Sequence, residues 1–541
     1  MRKGGFRSAY SRRDFLVSTA AVAGATAVPS GSAQAAAKYR RYNVTSPSGQ
    51  RMLASYAKAI QVMLKLPADH PQNWFRNAFT HLMDCPHGNW WFYVWHRGYL
   101  GYFERTIRTL SGDPSFAMPY WDWTALPQIP DGMFNGVLTP VDQAYAPYTA
   151  SIGAFTAFIK PALTKHWNGL SAAQRHQLDL RGYDTIEKMW NDVTGNGDPT
   201  NQAFSVTSNA RYLSRSNPKL DDKTRVNVTM FYLLAGLLPT DFYNGAALEL
   251  SFNSSKTSSH NTPPPGPTAF STLEGFPHNK VHNYIGGYGA HDAPWGNMTN
   301  NLSPVDPVFF LHHSNMDRLW DIWTRKQIRL RLPYLPVKAD EWKTYSDEPF
   351  LFYVDGNGQY VGPTTAGKYV NTALFDYDYE PGSGEVVVGA PRTNLLAATG
   401  ATRPIAGTVK GDTATVTVPR PTLQRHLGAT LTRPLTVDIT LTRPNGPSAP
   451  REFDVLVDAP PGVTHVNADS PYYAGTIAFF GAPMHGMDMA ADATFAVPLR
   501  RTLRAFTALG AASSTTLTIR VVPSQGRGEP AVLKAVSVGT V

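Results

Sequence analysis

Apolar positions recur three and four residues apart in four stretches of the first 330 residues. In "SYAKAIQVMLKLP" (Ser55–Pro67) this spacing predicts a helix that stops at the proline. "HRGYLGYFERTIRTL" begins at His96 and sets Tyr99, Leu100, Phe103, Ile107 and Leu110 on one side of a second helix. A third helical pattern surrounds "PHNKVHNYIGG", and a fourth runs through "DPVFFLHHSNMDRLWDIWTRKQI". Aromatic-rich loops such as "PYWDWTALP" (Pro119–Pro127) join them, and "SSKTSSHNTPPPGP" (Ser254–Pro267) reads as a polar, proline-rich surface loop.

Near residue 380 the pattern changes. "EPGSGEVVVGAPRTNLLAATGATRP" has the composition of a linker. Beyond it apolar residues alternate. Leu435, Val437, Ile439 and Leu441 form one set, Phe453, Val455 and Val457 a second, and Leu517, Ile519 and Val521 a third. Strands at this spacing predict a β-sandwich or small barrel. The chain shows no internal repeat.

The 541 residues suffice for two to three domains, and a 42% hydrophobic, 12% aromatic composition fills a large core. The formal charge is +9, and Arg2, Lys3, Arg7, Arg12, Arg13 and Asp14 contribute +4 of it. Without a basic run interleaved with aromatics, the charge does not indicate nucleic-acid binding. Those six residues sit in an expected export signal, residues 1–35. Arg12-Arg13 precede a short apolar stretch, and "SAQA" (Ser32–Ala35) offers a small-residue cleavage site. Adjacent arginines followed by Asp-Phe-Leu look like a twin-arginine signal, which implies a periplasmic or secreted protein. No other stretch approaches a membrane span.

Chemistry concentrates in histidine. The chain has 15, and seven fall in two groups: His81, His87 and His96, then His278, His282, His312 and His313. His278 and His282 are four apart, hence on one helix face, and can share a metal ion. Imidazole suits copper, zinc, iron and nickel. Neither group has the carboxylate of a facial iron triad or the H-E-x-x-H of a zinc peptidase. Two three-histidine sites therefore suggest a pair of copper ions acting together on dioxygen. Cys85 is the one cysteine, so no internal disulfide is available. It is a buried hydrophobe, a free or intermolecular thiol, or a side chain consumed by local chemistry.

"HGNWWFYVWHRGYLGYFER" and "DPVFFLHHSNMDRLW" resemble the two copper-binding signatures of the tyrosinase, catechol oxidase and hemocyanin family. The resemblance implies a mainly α catalytic domain, a four-helix bundle around a dicopper site with long loops, at residues 36–380. A linker over 381–412 and a β-sandwich-like C-terminal domain over 413–541 follow. It implies two copper ions as cofactor, the first bound by His81, His87 and His96, the second by His278, His282 and His313. His313 is preferred to His312 because the family ligand lies four residues before the aspartate, here Asp317. Tyr93 departs from the family pattern, which has an aliphatic residue or Phe there. Cys85-Pro86-His87 has the spacing of the thioether pair found in fungal tyrosinases and molluscan hemocyanins. Glu274 and Asn279 match a pair thought to hold a water that deprotonates an incoming phenol. The position that gates the second copper falls near Asn300. Asp317 and Asp122 are candidate partners for ligand imidazoles, and Arg97 and Arg318 are read as ties between helices. Trp90, Trp91, Phe92, Trp95, Phe309 and Phe310 are expected to keep the site dry.

"REFDVLVDAP" and Tyr377-x-Tyr379 resemble motifs of plant polyphenol oxidases, whose C-terminal domain covers the copper site until it is cut or displaced. The implied function is an exported type-3 copper oxidase, latent until that domain leaves. It would hydroxylate monophenols and oxidise o-diphenols to o-quinones with O2. The expected partners are O2 and small phenols, with a copper chaperone as a further candidate. Met484–Met489 ("MHGMDM") offers soft ligands for copper delivery, or is an ordinary methionine-rich turn. The alternatives are a catechol or o-aminophenol oxidase without monophenol activity, an oxygen carrier like hemocyanin, and, more remotely, a zinc hydrolase.

Overall fold

Two helical stretches lack a polar face, and they become the centre of the catalytic half. The computed structural model describes residues 37–390, 404–422, 435–444, 449–481, 492–499, 515–526 and 528–539. The expected signal peptide and Met484–Met489 lie outside the described residues. Helix α1 (Pro47–Lys65) starts eight residues before the stretch predicted, because Ser46 caps it by accepting the Gly49 N–H and Pro47 suits its first turn. Helices α2 (Trp74–Asp84), α3 (Phe92–Ser111), α4 (Asn279–Ile285) and α5 (Val308–Leu330) follow. Helix α3 is buried on nearly every side, as is α5 over its first half, so both sit inside other elements. Phe103 of α3 and Phe310 of α5 stack with centroids 3.6 Å apart.

Strands β1 (Tyr39–Arg41) and β3 (Tyr377–Tyr379) pair in parallel and close this half. The tyrosine motif has a structural use. Both hydroxyls donate to Asp317, which also takes Arg41 Nη1 at 2.9 Å and Arg97 Nε at 2.7 Å. Burial alone would raise the Asp317 carboxyl, but the guanidiniums of Arg97 and Arg41 hold it below its ordinary range.

Downstream, β4 (Ile405–Ala406), β5 (Thr408–Lys410), β6 (Thr413–Thr417), β7 (Thr436–Thr442), β8 (Glu452–Val457), β9 (Tyr473–Ala478), β10 (Ala493–Pro498), β11 (Thr516–Pro523) and β12 (Val532–Gly539) build two sheets. One has the order β9-β8-β11-β6-β5. The other has the order β2-β10-β7-β12-β4, where β2 (Thr268–Phe270) comes from the catalytic half. Phe270 pairs with Phe495 across that junction, rings 4.9 Å apart and nearly parallel. Val437, Ile439, Leu441, Phe453, Val455, Ile519 and Val521 fill one core between the sheets, as their alternation predicts.

Two expectations change, and one strand departs from simple alternation. Segment 381–412 is not a connector throughout: Val387 is buried against α5's neighbourhood, and strands begin at Ile405. Segment Ser254–Asn261 is not a surface loop, since most of it is buried and only its continuation over 262–267 stays largely at the surface. The polar residues of β8 do not face water either. Glu452 pairs with Lys280 at 2.7 Å and Asp454 with Lys223 at 2.6 Å, so the strand is buried on both faces. Tyr39–Val541 thus form one compact unit. Among the described residues no helix is long and apolar enough to cross a membrane.

Candidate metal centre

Seven histidines from α2, α3, α4, α5 and two connecting segments meet at the centre of the helical half. The ligand atoms of His81, Cys85, His87 and His96 lie within 4.8 Å of one another, and those of His278, His282, His312 and His313 form a second such group. The groups touch: the His96 and His313 rings stack 4.0 Å apart, and those of His87 and His278 lie 5.9 Å apart.

Each position has a local cause. His81 and His96 point inward from buried faces of α2 and α3. His278 ends a π-helical turn, Glu274–His278, that runs directly into α4, where His282 follows one turn later. His87 has no helix beneath it. Gly88 beside it takes φ +66°, and a Cβ there would meet Thr268 at 2.4 Å, so only glycine lets the chain turn against β2.

The ring nitrogens show how the imidazoles are held. His81 Nδ1 lies 2.8 Å from the Asn301 carbonyl, His96 Nδ1 2.7 Å from that of Phe92, and His282 Nδ1 2.8 Å from that of Met298. His278 Nδ1 meets Asn279 Oδ1 at 2.8 Å. An Nδ1–H donated outward leaves the Nε2 lone pair inward. Among the described residues, His81 Nε2 and His278 Nε2 have no hydrogen-bond partner although fully buried. Burial lowers the pKa of His81 and of His278 to about 3 and depresses the other five as well, so the rings are neutral. Neutral, pre-oriented imidazoles with orphaned inward nitrogens fit two copper ions.

Backbone carbonyls therefore do what was expected of Asp317 and Asp122. Asp317 is spent on arginines and tyrosines, while Asp122 accepts the Ser383 N–H at 2.7 Å. Arg97 does tie α3 to α5 through Asp317. Arg318 bonds Asn315 within α5 and the Ser383 carbonyl. His312 joins the second group with both ring nitrogens unpartnered among the described residues; the adjacent His312-His313 pair was its only signal in the sequence. The expected aromatic wall is present: Phe309 lies 5.0 Å from His81 and 4.2 Å from His313, and Phe92 4.8 Å from His278.

Cys85 Sγ is 3.9 and 3.8 Å from the two nitrogens of His87, and 3.4 Å from His96 Nε2. The sulfur is thus nearly equidistant from the two His87 nitrogens. Glu274 is buried, accepting the Gly88 N–H at 2.6 Å and the Ser254 hydroxyl at 2.5 Å. Burial pushes its carboxyl up to about 7 against those two bonds. Asn279 gives its amide N–H to the Ala478 carbonyl at 2.8 Å.

The Asn300 amide donates to the Gln202 carbonyl and its oxygen accepts from Arg451. One aromatic residue beside the rings was not singled out from the sequence. Phe480, just past β9, sets its ring 4.5 Å from His282, 4.7 Å from His87 and 5.9 Å from His278. Asn279 and Asn283, which follow His278 and His282, hold the carbonyls of Ala478 and Phe479. Gly481, next to Phe480, takes φ +75°.

Residues 54–326 match the family described as the common central domain of tyrosinase. The latent form of a chloroplastic polyphenol oxidase from Prunus armeniaca is 25% identical over 362 residues, covering 62% of this chain and 48% of the relative. A chloroplastic (+)-larreatricin hydroxylase from Larrea tridentata is 26% identical over 290 residues, covering 50% of this chain and 37% of the relative. The chain thus spans about half or less of the length of these curated relatives. A latent aurone synthase (polyphenol oxidase) has the same fold: TM-score 0.54, 19% identity, 94% of this chain and 91% of that one covered.

Proposed function

Because this chain belongs to the tyrosinase family of type-3 dicopper proteins, we propose that it is a copper-dependent phenol oxidase held latent by its own C-terminal domain. One observation carries the reading: an aromatic ring, that of Phe480, already stands against three imidazoles drawn from both groups. A space that takes a phenyl ring there suits a phenol, and a phenol enters only when Phe480 leaves. Bound copper supplies the redox chemistry with dioxygen. The protein supplies neutral rings, a dry wall and a base.

That base is Glu274, buried and poised near neutrality beside the His87 loop. Displacing Ala478 would also free the Asn279 amide to hold a water between the two side chains. Deprotonation of a monophenol through that water favours hydroxylation as well as catechol oxidation, in keeping with the hydroxylase among the relatives. We also propose a thioether between Cys85 Sγ and the His87 ring carbon. The thiol S–H and the ring C–H are lost, the S–C bond forms, and dioxygen accepts both hydrogens as hydrogen peroxide. The peptide carrying both residues would then be two hydrogens lighter. The twin-arginine segment supports export in the folded state.

Oxygen uptake by the copper-loaded full chain, given a monophenol and its matching catechol before and after limited proteolysis within 391–403, tests the reading. Weak uptake that rises for both substrates after cleavage is expected. Uptake with the catechol alone would make it a catechol oxidase. No uptake under either condition refutes phenol oxidation and leaves oxygen carriage.

A further inference from the structure

His260 belongs to neither copper group and lies in the segment read from sequence as surface loop, yet it is fully buried. Its Nδ1 is 2.5 Å from Glu348 Oε1 and its Nε2 2.9 Å from Asp84 Oδ1. Its backbone N–H donates to the same Glu348 oxygen at 2.9 Å, and its carbonyl accepts the Asn89 side-chain N–H at 3.1 Å. Asp84 and Asn89 flank the segment that carries Cys85 and His87. One residue therefore grips both ends, by its ring at one and its carbonyl at the other. The segment before it reinforces the grip, since the Ser255 carbonyl accepts the Trp90 N–H at 2.9 Å. The other Asp84 oxygen accepts the Trp95 indole N–H at 2.8 Å, and that indole packs edge-on against His96 and His81, with centroids 5.1 and 6.0 Å away.

Both ring nitrogens face carboxylates; the Asn261 amide nitrogen also lies 3.0 Å from Nε2, but its two protons go to Gln177 Oε1 at 3.0 Å and Asp84 Oδ1 at 3.4 Å, and an imidazole donates from both nitrogens only when protonated. We propose that His260, as a buried cation between Asp84 and Glu348, is a positioning residue for the first copper group, fixing the Asp84–Asn89 loop and with it the ring of His87. The loop needs such a device because His87, unlike His81 and His96, has no helix to orient it. Burial by itself would lower the His260 pKa, but Asp84 and Glu348 bring it up to about 9, consistent with that charge state. Arg181, whose side chain bonds Asn261 and the Leu82 carbonyl, buttresses the same corner.

The inference rests on His81, His87 and His96 binding copper, and the experiment separates the two ideas. Copper is titrated into the metal-free full chain against a chelator of known affinity, and the ions per chain are counted by native mass spectrometry. Wild type binding two ions supports the ligand assignment; binding none overturns it. In His260→Gln, one ion is expected to bind as in wild type and the other about tenfold or more weakly, the usual cost of losing a partner behind the ligands. The half-loaded Cu(II) form should give the paramagnetic resonance spectrum of His87→Ala, with its first group disabled, and not that of His282→Ala. Two ions at wild-type affinity in His260→Gln, or equal weakening of both, overturns the positioning role. If His260→Gln does not fold, Glu348→Gln decides. It keeps the Asp84 contact and should show the same one-sided loss at smaller size, and an even loss overturns the proposal.

Discussion

The buried cation at His260 makes stability depend on pH in a way that can be calculated. The imidazole pKa rises from the ordinary 6.5 to about 9 in the folded chain. Between these values the native state holds a proton that the unfolded state releases, so stability falls as pH rises. The contribution is fully present below about pH 6.5 and gone above about pH 9. Each pKa unit corresponds to about 1.4 kcal/mol, which makes the total about 3 kcal/mol. The group is wholly buried, so solvent does not screen it. The perturbation is a pH series from 6 to 10 on metal-free full chain, wild type and His260→Gln, unfolded in urea and followed by tryptophan emission. All twelve tryptophans precede residue 381, so the signal reports the helical half alone. Subtracting the variant removes every other titrating group. The difference should shrink by about 1.4 kcal/mol per pH unit across the window. A difference constant with pH would refute the buried imidazolium.

Glu274→Gln should cut monophenol hydroxylation by about 100-fold or more while sparing catechol oxidation, the cost of a lost general base; equal losses on both substrates would make Glu274 structural. Phe480→Ala should raise uptake by the uncut chain toward that of the cleaved chain. The phenyl packing removed is worth about 3 kcal/mol, enough to shift a closed–open balance by about 100-fold, and unchanged latency would count against the shield. Asp317→Asn should lower thermal stability by about 3–5 kcal/mol, since it leaves Arg41 and Arg97 buried with a neutral partner, and a melting temperature within error of wild type would contradict that network.

Much of the site was legible in short spacings. His278 and His282 sit four apart, which a helix turns into a shared face; the preference for His313 over His312 came from the family signature, and the fold brings both into the second group. The β-rich C-terminal region was likewise visible in its alternation, since one face of each strand packs against the core between the sheets. What escaped were contacts between segments far apart in sequence. Nothing near Phe480 marks it as a neighbour of the imidazoles; Asn279 and Asn283, about 200 residues earlier, hold the carbonyls of Ala478 and Phe479 that set it there. Nothing in "SSKTSSHNTPPPGP" separates a solvated loop from a buried strap, because its serines, histidine and asparagine satisfy either water or Asp84, Glu348 and Glu274. Asp317 looked like a partner for a ligand histidine by its place one turn away, but Arg41, Arg97 and two tyrosines claimed it first. Local periodicity laid out the helices and strands and the histidine spacings showed two groups, while the mainly α dicopper fold and the choice of ligands rested on the resemblance to the tyrosinase family. Which polar groups answer one another came from the fold, because most buried polar groups have to find a partner wherever the fold brings one.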